Sequence, residues 1–148
     1  SNSDIALSEI NSFDSKNPEN FIKLAEYYVR RGNIKQAVLL IEQYSDKAKQ
    51  NFEHAKAIAG YNRIIKLSDR LNILCCTYLK LGEIYAHIGE IKNAGEAFRN
   101  SFAITKKLKD EKQKANCLIK LGELFFKNGA FIRSTDYFKA AQKYSYKD

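Results

Sequence analysis

The feature that most constrains this chain is a pentad written three times. Ile119-Lys120-Leu121-Gly122-Glu123 repeats Leu79-Lys80-Leu81-Gly82-Glu83 from forty residues earlier, and Ile22-Lys23-Leu24-Ala25-Glu26 is a third copy near the start. Six residues beyond each Glu stands a glycine (Gly32, Gly89, Gly129), and five residues further on a small side chain (Ala37, Ala94, Ser134). Apolar residues at helical spacing, a helix-ending glycine and a second helical run make one supersecondary unit. Such a unit covers its apolar face only by stacking on its neighbours, so the copies predict a helical repeat array, an architecture that usually serves as a scaffold.

Composition agrees. The 148 residues suit one domain, 1–148, and an apolar fraction of 45% with 12% aromatics excludes a disordered chain. No apolar run approaches the roughly 20 residues that cross a bilayer. One proline, no tryptophan and few alternating stretches point to an all-helical chain. Three cysteines, two of them adjacent (Cys75, Cys76, Cys117), favour a reducing, intracellular and cytoplasmic home over a disulfide framework. Ser1-Asn2-Ser3 reads as a remnant of processing, and the absence of methionine fits a piece excised from a longer protein. The net charge of +8 favours acidic partners, whether protein segment, nucleic acid or anionic membrane.

Taken in order, Ile5, Leu7, Ile10 and Phe13 predict a short helix over 4–13. Asn17-Pro18-Glu19 is a helix start, with Asn capping free N–H groups and Pro accepted in the first turn, and that helix runs to about Arg31 before Gly32-Asn33. From Ile34 the apolar spacing continues to about Asp69 without proline, and without glycine before Gly60. One long or bent helix is favoured there over two helices broken near 45–51, because an extra helix would exchange the two layers of the array. Pairs follow at about 72–88 with 91–108, and 111–127 with 131–144, giving repeats near 18–69, 72–110 and 112–146.

Tyr78, Leu81-Gly82, Tyr85, Gly89, Ala94 and Phe98 stand at the spacings of the tetratricopeptide repeat (TPR) family, and Leu118, Leu121-Gly122, Phe125, Gly129, Ser134, Phe138 and Ala141 repeat them. These two units resemble that family closely. Phe21, Leu24-Ala25, Tyr28, Gly32, Ala37 and Ile41 fit more loosely. The resemblance implies an all-α, right-handed α-solenoid of antiparallel helix pairs, here in a variant of about forty residues per repeat that lacks the usual inter-repeat proline. Gly82 and Gly122 are expected where helices approach closely.

In that family the first helices of the pairs line a concave groove that takes a peptide or helix of a partner protein. The resemblance implies a partner-binding set of Lys23, Glu26, Val29 and Arg30, then Cys76, Lys80, Glu83 and His87, then Asn116, Lys120, Glu123, Phe126 and Lys127. Lys80 and Lys120 would meet acidic side chains, while Glu83 and Glu123 accept from basic groups or backbone N–H. The competing reading is that Lys and Glu pair with one another, worth about 0.2 to 0.5 kcal/mol for an exposed pair. The carboxylate clamp of some family members has Asn just after the Leu-Gly pair. Glu26, Glu83 and Glu123 stand there instead and would repel a carboxylate.

Other chemistry is weaker. Lys106, Lys107, Lys109, Lys112 and Lys114 crowd a turn, but Asp110 and Glu111 interrupt them, so a solvated turn is favoured over a phosphate site. His54 and His87 form no ligand pattern with the cysteines, so no metal is assigned. No nucleophile motif, paired catalytic acids or phosphate loop appears, so neither a cofactor nor an enzyme is expected. The reading is a non-catalytic adaptor, with nucleic-acid or anionic-membrane binding as the lesser alternative. Self-association is a third option, through apolar surface at Phe131, Tyr137 and Phe138.

Overall fold

Seven helices make up the regular structure of residues 17–145, the part of the chain that the computed structural model describes. The expected helix over 4–13 lies outside those residues. The chain divides between Ser68 and Asp69 into two units, the first holding α1 (Pro18–Arg30), α2 (Ile34–Gln50) and α3 (His54–Leu67). The second holds α4 (Leu71–His87), α5 (Ile91–Leu108), α6 (Glu111–Lys127) and α7 (Phe131–Ser145). Among the described residues no helix is long and apolar enough to cross a membrane.

Two helix starts follow clear sequence signals. Asn17 accepts from the Glu19 N–H at 3.1 Å with Pro18 in the first turn, and Asp110 accepts from the Gln113 N–H at 3.0 Å ahead of α6. Each satisfies a donor that the first helical turn leaves unpaired. Three of the helix ends share one geometry. Asn33, Glu90 and Ala130 each donate a backbone N–H to a carbonyl five residues back, at 2.8 to 2.9 Å, and the residue just before each is a glycine at φ 75, 83 or 77°.

The single long helix expected over 34–69 does not exist. Its break lies at residues 51–53, at the C-terminal end of the 45–51 stretch weighed in the sequence. There Phe52 adopts φ 60° and the Glu53 N–H closes on the Ala48 carbonyl at 2.9 Å, the same cap built without glycine. A left-handed non-glycine residue costs about 1–2 kcal/mol. Burial of α3 against α2 offsets that cost, since Ala57, Tyr61 and Ile64 are fully buried and Gly60 lies against the Ser45 side chain. The Tyr61 hydroxyl also reaches Asp46 on α2. The long gap between the first two pentads is thus filled by a third helix that joins α1 in flanking α2.

Unit 2 is two antiparallel helix pairs around one core. Leu79, Ala94, Phe98, Cys117, Leu121 and Leu124 are buried together, with Tyr85, Ala86, Ile91, Phe102, Phe125 and Tyr137 packed on them. The pentad glycines act as the sequence predicts. A Cβ on Gly82 would stand 2.4 Å from the Phe98 ring, and one on Gly122 2.6 Å from the Phe138 ring, so each glycine is the socket for the aromatic of the following helix. Ser134, in the place of Ala94, donates its buried hydroxyl to the Gly122 carbonyl at 2.8 Å. Ser101 links the two pairs, donating to the Cys75 carbonyl at 2.9 Å and accepting from the Cys117 thiol at 3.4 Å.

Candidate interaction surface

In unit 2 the pentads of α4 and α6 lie side by side. The Lys120 ammonium is 3.6 Å from the Glu83 carboxylate and 4.0 Å from that of Glu123. Around this triad runs a cleft of about 190 Å³ lined by Glu83, Ala86, His87, Phe98, Lys120, Glu123, Leu124 and Lys127. Five of the residues expected to bind a partner therefore meet: Glu83, His87, Lys120, Glu123 and Lys127. Its floor is apolar, from Ala86, Phe98 and Leu124, and its rim is charged. Lys127 makes no ion pair among the described residues, and it remains an exposed cation at the cleft's edge.

Other expected residues fall elsewhere. Lys80 lies on α4 and does not line the cleft. Asn116 borders a separate shallow depression on α6 and donates to Gln113 at 3.3 Å. Phe126 is exposed and packs edge-on against Phe131, ring centres 5.3 Å apart. Of the aromatics expected to be bare on the last repeat, only Phe131 is exposed. Tyr137 stacks flat on Phe125 at 5.5 Å, and Phe138 fills the Gly122 socket, so both are partly buried.

In unit 1, Lys23, Glu26 and Arg30 all lie on α1, yet they are used differently. Glu26 accepts from Arg63 of α3 at 3.3 and 3.4 Å in a two-pronged pair, and Arg30 turns back to the Glu26 carbonyl at 3.3 Å. Lys23 is exposed. The sequence reading missed Arg63, because α3 was not recognised as a separate helix. The signal was present: Gly60, Arg63, Ile64 and Leu67 have the spacing of Cys117, Lys120, Leu121 and Leu124. In both units a pentad glutamate thus pairs with a base on another helix, Arg63 of α3 in unit 1 and Lys120 of the next pentad in unit 2. These groups are roughly one-third to two-fifths exposed, so each pair contributes little to stability.

The lysine-rich turn is dispersed in its interactions. Lys106 lies 4.8 Å from the centre of the Phe102 ring, Lys114 bonds Glu111 at 2.7 Å, and Lys109 takes the left-handed capping position of α5 at φ 55°. The cysteines separate into two classes. Burial raises both Cys75 and Cys117, partly opposed by hydrogen bonds to Ser101, and Cys117 is pushed up to about 11. Cys76 alone is exposed, on α4. Among the described residues no group of three or more His, Cys, Asp or Glu is placed to hold a metal ion.

No protein-family model matches this sequence, and no curated protein does. Solved structures do match. MamA aligns over 93% of this chain and 84% of its own, with a TM-score of 0.59 and 21% identity. The nearly identical TPR-like repeats of a Podosopora anserina protein designated a kinesin light chain align over 96% of this chain and 82% of their own, with a TM-score of 0.56 and 14% identity. At such identities the likeness is one of fold. The chain has the all-α, TPR-like solenoid fold that its pentads predict.

Proposed function

We propose that this chain is a protein-interaction scaffold whose first-layer helices receive a peptide or helical segment of a partner, a role in positioning rather than catalysis. The observation that carries the reading is the α4–α6 cleft, an apolar floor of Ala86, Phe98 and Leu124 rimmed by Glu83, His87, Lys120, Glu123 and Lys127. An apolar floor supplies affinity and a mixed-charge rim supplies selectivity. Lys120 is already engaged by two carboxylates, so the cation offered to an acidic segment is Lys127, with His87 beside it. On α1, Lys23, Glu26 and Arg30 are the corresponding candidates, and Lys80, Asn116 and Phe126 border the surface on α4 and α6.

Asp69 onward carries 15 basic and nine acidic residues, +6 of the chain's +8, which supports an acidic partner for unit 2. The test is capture of partners from the source cell followed by calorimetry on the captured protein. His87→Glu with Lys127→Glu is expected to weaken binding more than about tenfold with melting unchanged. Unaltered affinity would refute the cleft assignment. Equal binding to generic RNA or anionic vesicles, lost steeply as salt rises, would replace it with an electrostatic role.

A further inference from the structure

The pentad glutamate is used in the same way once in each unit: Glu26 of α1 meets Arg63 of α3, and Glu83 of α4 meets Lys120 of α6. The answering helix has one pattern in both cases. A small or apolar residue is followed three positions on by a base, then by apolar residues one and four positions after the base: Gly60, Arg63, Ile64, Leu67 and Cys117, Lys120, Leu121, Leu124. At 3.6 residues per turn these four positions form a strip along one helix face. In unit 2 the strip's Cys117, Leu121 and Leu124 share a core cluster with Leu79, and Ala86 and Ile91 pack against that cluster.

Forty residues on, the positions of Leu79, Glu83, Ala86 and Ile91 are occupied by Ile119, Glu123, Phe126 and Phe131. Ile119, Glu123 and Phe126 lie on the opposite side of α6 from the strip, Phe131 opens α7 beside Phe126, and all four are exposed. Ile119 is 36% exposed, Phe126 56% and Phe131 59%, against 7% for Leu79. The Glu123 carboxylate is half exposed and, among the described residues, pairs only with Lys120 of its own helix, at 4.0 Å. The apolar strip is one helix wide, since α7 beyond Ile132 presents exposed Thr135, Asp136, Lys139, Gln142 and Lys143. The same chemistry that receives α6 on α4 is thus displayed again, with none of the described residues lying on it.

We propose that this end face of unit 2 docks one amphipathic helix of a partner protein. That helix carries Lys or Arg opposite Glu123, a small or apolar residue three positions before it, and apolar residues one and four positions after it. The occupant is read from the molecule's own two junctions, where a base meets the pentad glutamate while the flanking apolar residues cover its neighbours. A second copy is the weaker occupant, because each copy carries +8 and repels its like. The inference does not rest on the cleft, and His87→Glu with Lys127→Glu leaves it intact.

The probe is a synthetic peptide of residues 111–127 with Cys117→Ala, labelled at its N-terminus and locked as a helix by a lactam between Ile119→Lys and Glu123. The lock removes the ordering cost that a free peptide pays on binding. Fluorescence anisotropy with the full chain should show saturable binding with a dissociation constant below about 100 µM. Glu123→Lys in the protein should weaken it about tenfold, and Lys120→Glu in the peptide should restore it. Phe126→Ser, at an exposed site, should weaken it about fivefold with melting unchanged. No saturation below about 1 mM, or affinity indifferent to both protein variants, would overturn the proposal. A concentration-dependent dimer abolished by Phe126→Ser, seen by sedimentation, would overturn it in favour of a second copy.

Discussion

Gly82 and Gly95 lie on facing members of one helix pair, and replacing each by alanine should change stability in opposite directions. In both helices the exchange gains about 1 kcal/mol of helix propensity, because alanine restricts the unfolded backbone more than glycine does. What differs is the room. At Gly95 the nearest atom to the added methyl is the Arg99 guanidinium nitrogen at 3.2 Å, the mobile end of an exposed side chain, which can swing clear. At Gly82 the methyl would stand 2.4 and 2.5 Å from two carbons of the Phe98 ring, where carbon–carbon separations settle near about 3.5–4.0 Å. Phe98 is 2% exposed and shares its cluster with Leu79, Cys117 and Leu121, so it retreats only by displacing them.

Overpacking of this kind costs about 1–3 kcal/mol, and with a separation more than about 1 Å too short the upper half of that range applies. Gly82→Ala should therefore destabilise unit 2 by about 1–2 kcal/mol net, while Gly95→Ala stabilises it by about 0.5–1 kcal/mol. Native-state hydrogen exchange of the α4 and α5 amides reads unit 2 by itself. Phe98→Leu in the Gly82→Ala background should cost less than Phe98→Leu alone, because the two sites share one volume. If Gly82→Ala stabilised as much as Gly95→Ala, close approach would not be the reason for the pentad glycine.

Two further predictions concern unit 1 and the thiols. Phe52→Gly should stabilise unit 1 by about 1 kcal/mol, seen as slower exchange of α2 and α3 amides, because it relieves the left-handed strain at an exposed position. An aromatic reporter attached at Cys76 should form rapidly near neutral pH with a stoichiometry of one per chain, Cys75 and Cys117 reacting only on unfolding. Burial holds the Cys117 proton in the folded state to about pH 11, whereas an unfolded thiol loses it near 9. Above that lower value the unfolded chain binds fewer protons than the folded one. Stability should accordingly fall as pH rises from about 9 to 11, and Cys117→Ala should flatten that slope in urea titrations across the range.

The legibility of this fold depended on which residues had to be of one kind. Gly82 and Gly122 had to be small to seat Phe98 and Phe138, and Gly89 and Gly129 had to take positive φ, so those pairs could be read directly from the sequence. The turn at 51–53 could not, because Phe52 tolerates at some cost a backbone that glycine adopts freely, and the apolar spacing runs on through it. Missing that turn concealed α3, and with it Arg63 as the partner of Glu26. The cleft's floor of Ala86, Phe98 and Leu124 was not singled out in the sequence, whereas its rim residues Glu83, His87, Lys120, Glu123 and Lys127 were named on α4 and α6. Their mutual pairing was weighed only as an alternative, because side-chain partners across a helix junction depend on rotation about the helix axis, which spacing alone defines loosely.

The pentad therefore combines two kinds of packing. Its Leu and Gly point within the pair, toward the aromatic of the next helix in sequence. In unit 2 the Lys of one pentad, Lys120, meets the Glu of the other, Glu83. Such a junction is directional, and its two halves are not interchangeable. In unit 2 the third pentad helix, α6, leaves its Glu123 and the adjoining Ile119 and Phe126 exposed. Binding there requires a partner to imitate the next helix of the array, base included. A partner in the cleft meets a surface whose central lysine is already neutralised, and must rely on Lys127, His87 and the apolar floor. Charge reversal at Glu123 and at Lys127 should consequently affect different ligands, and that separation is what two independent surfaces demand.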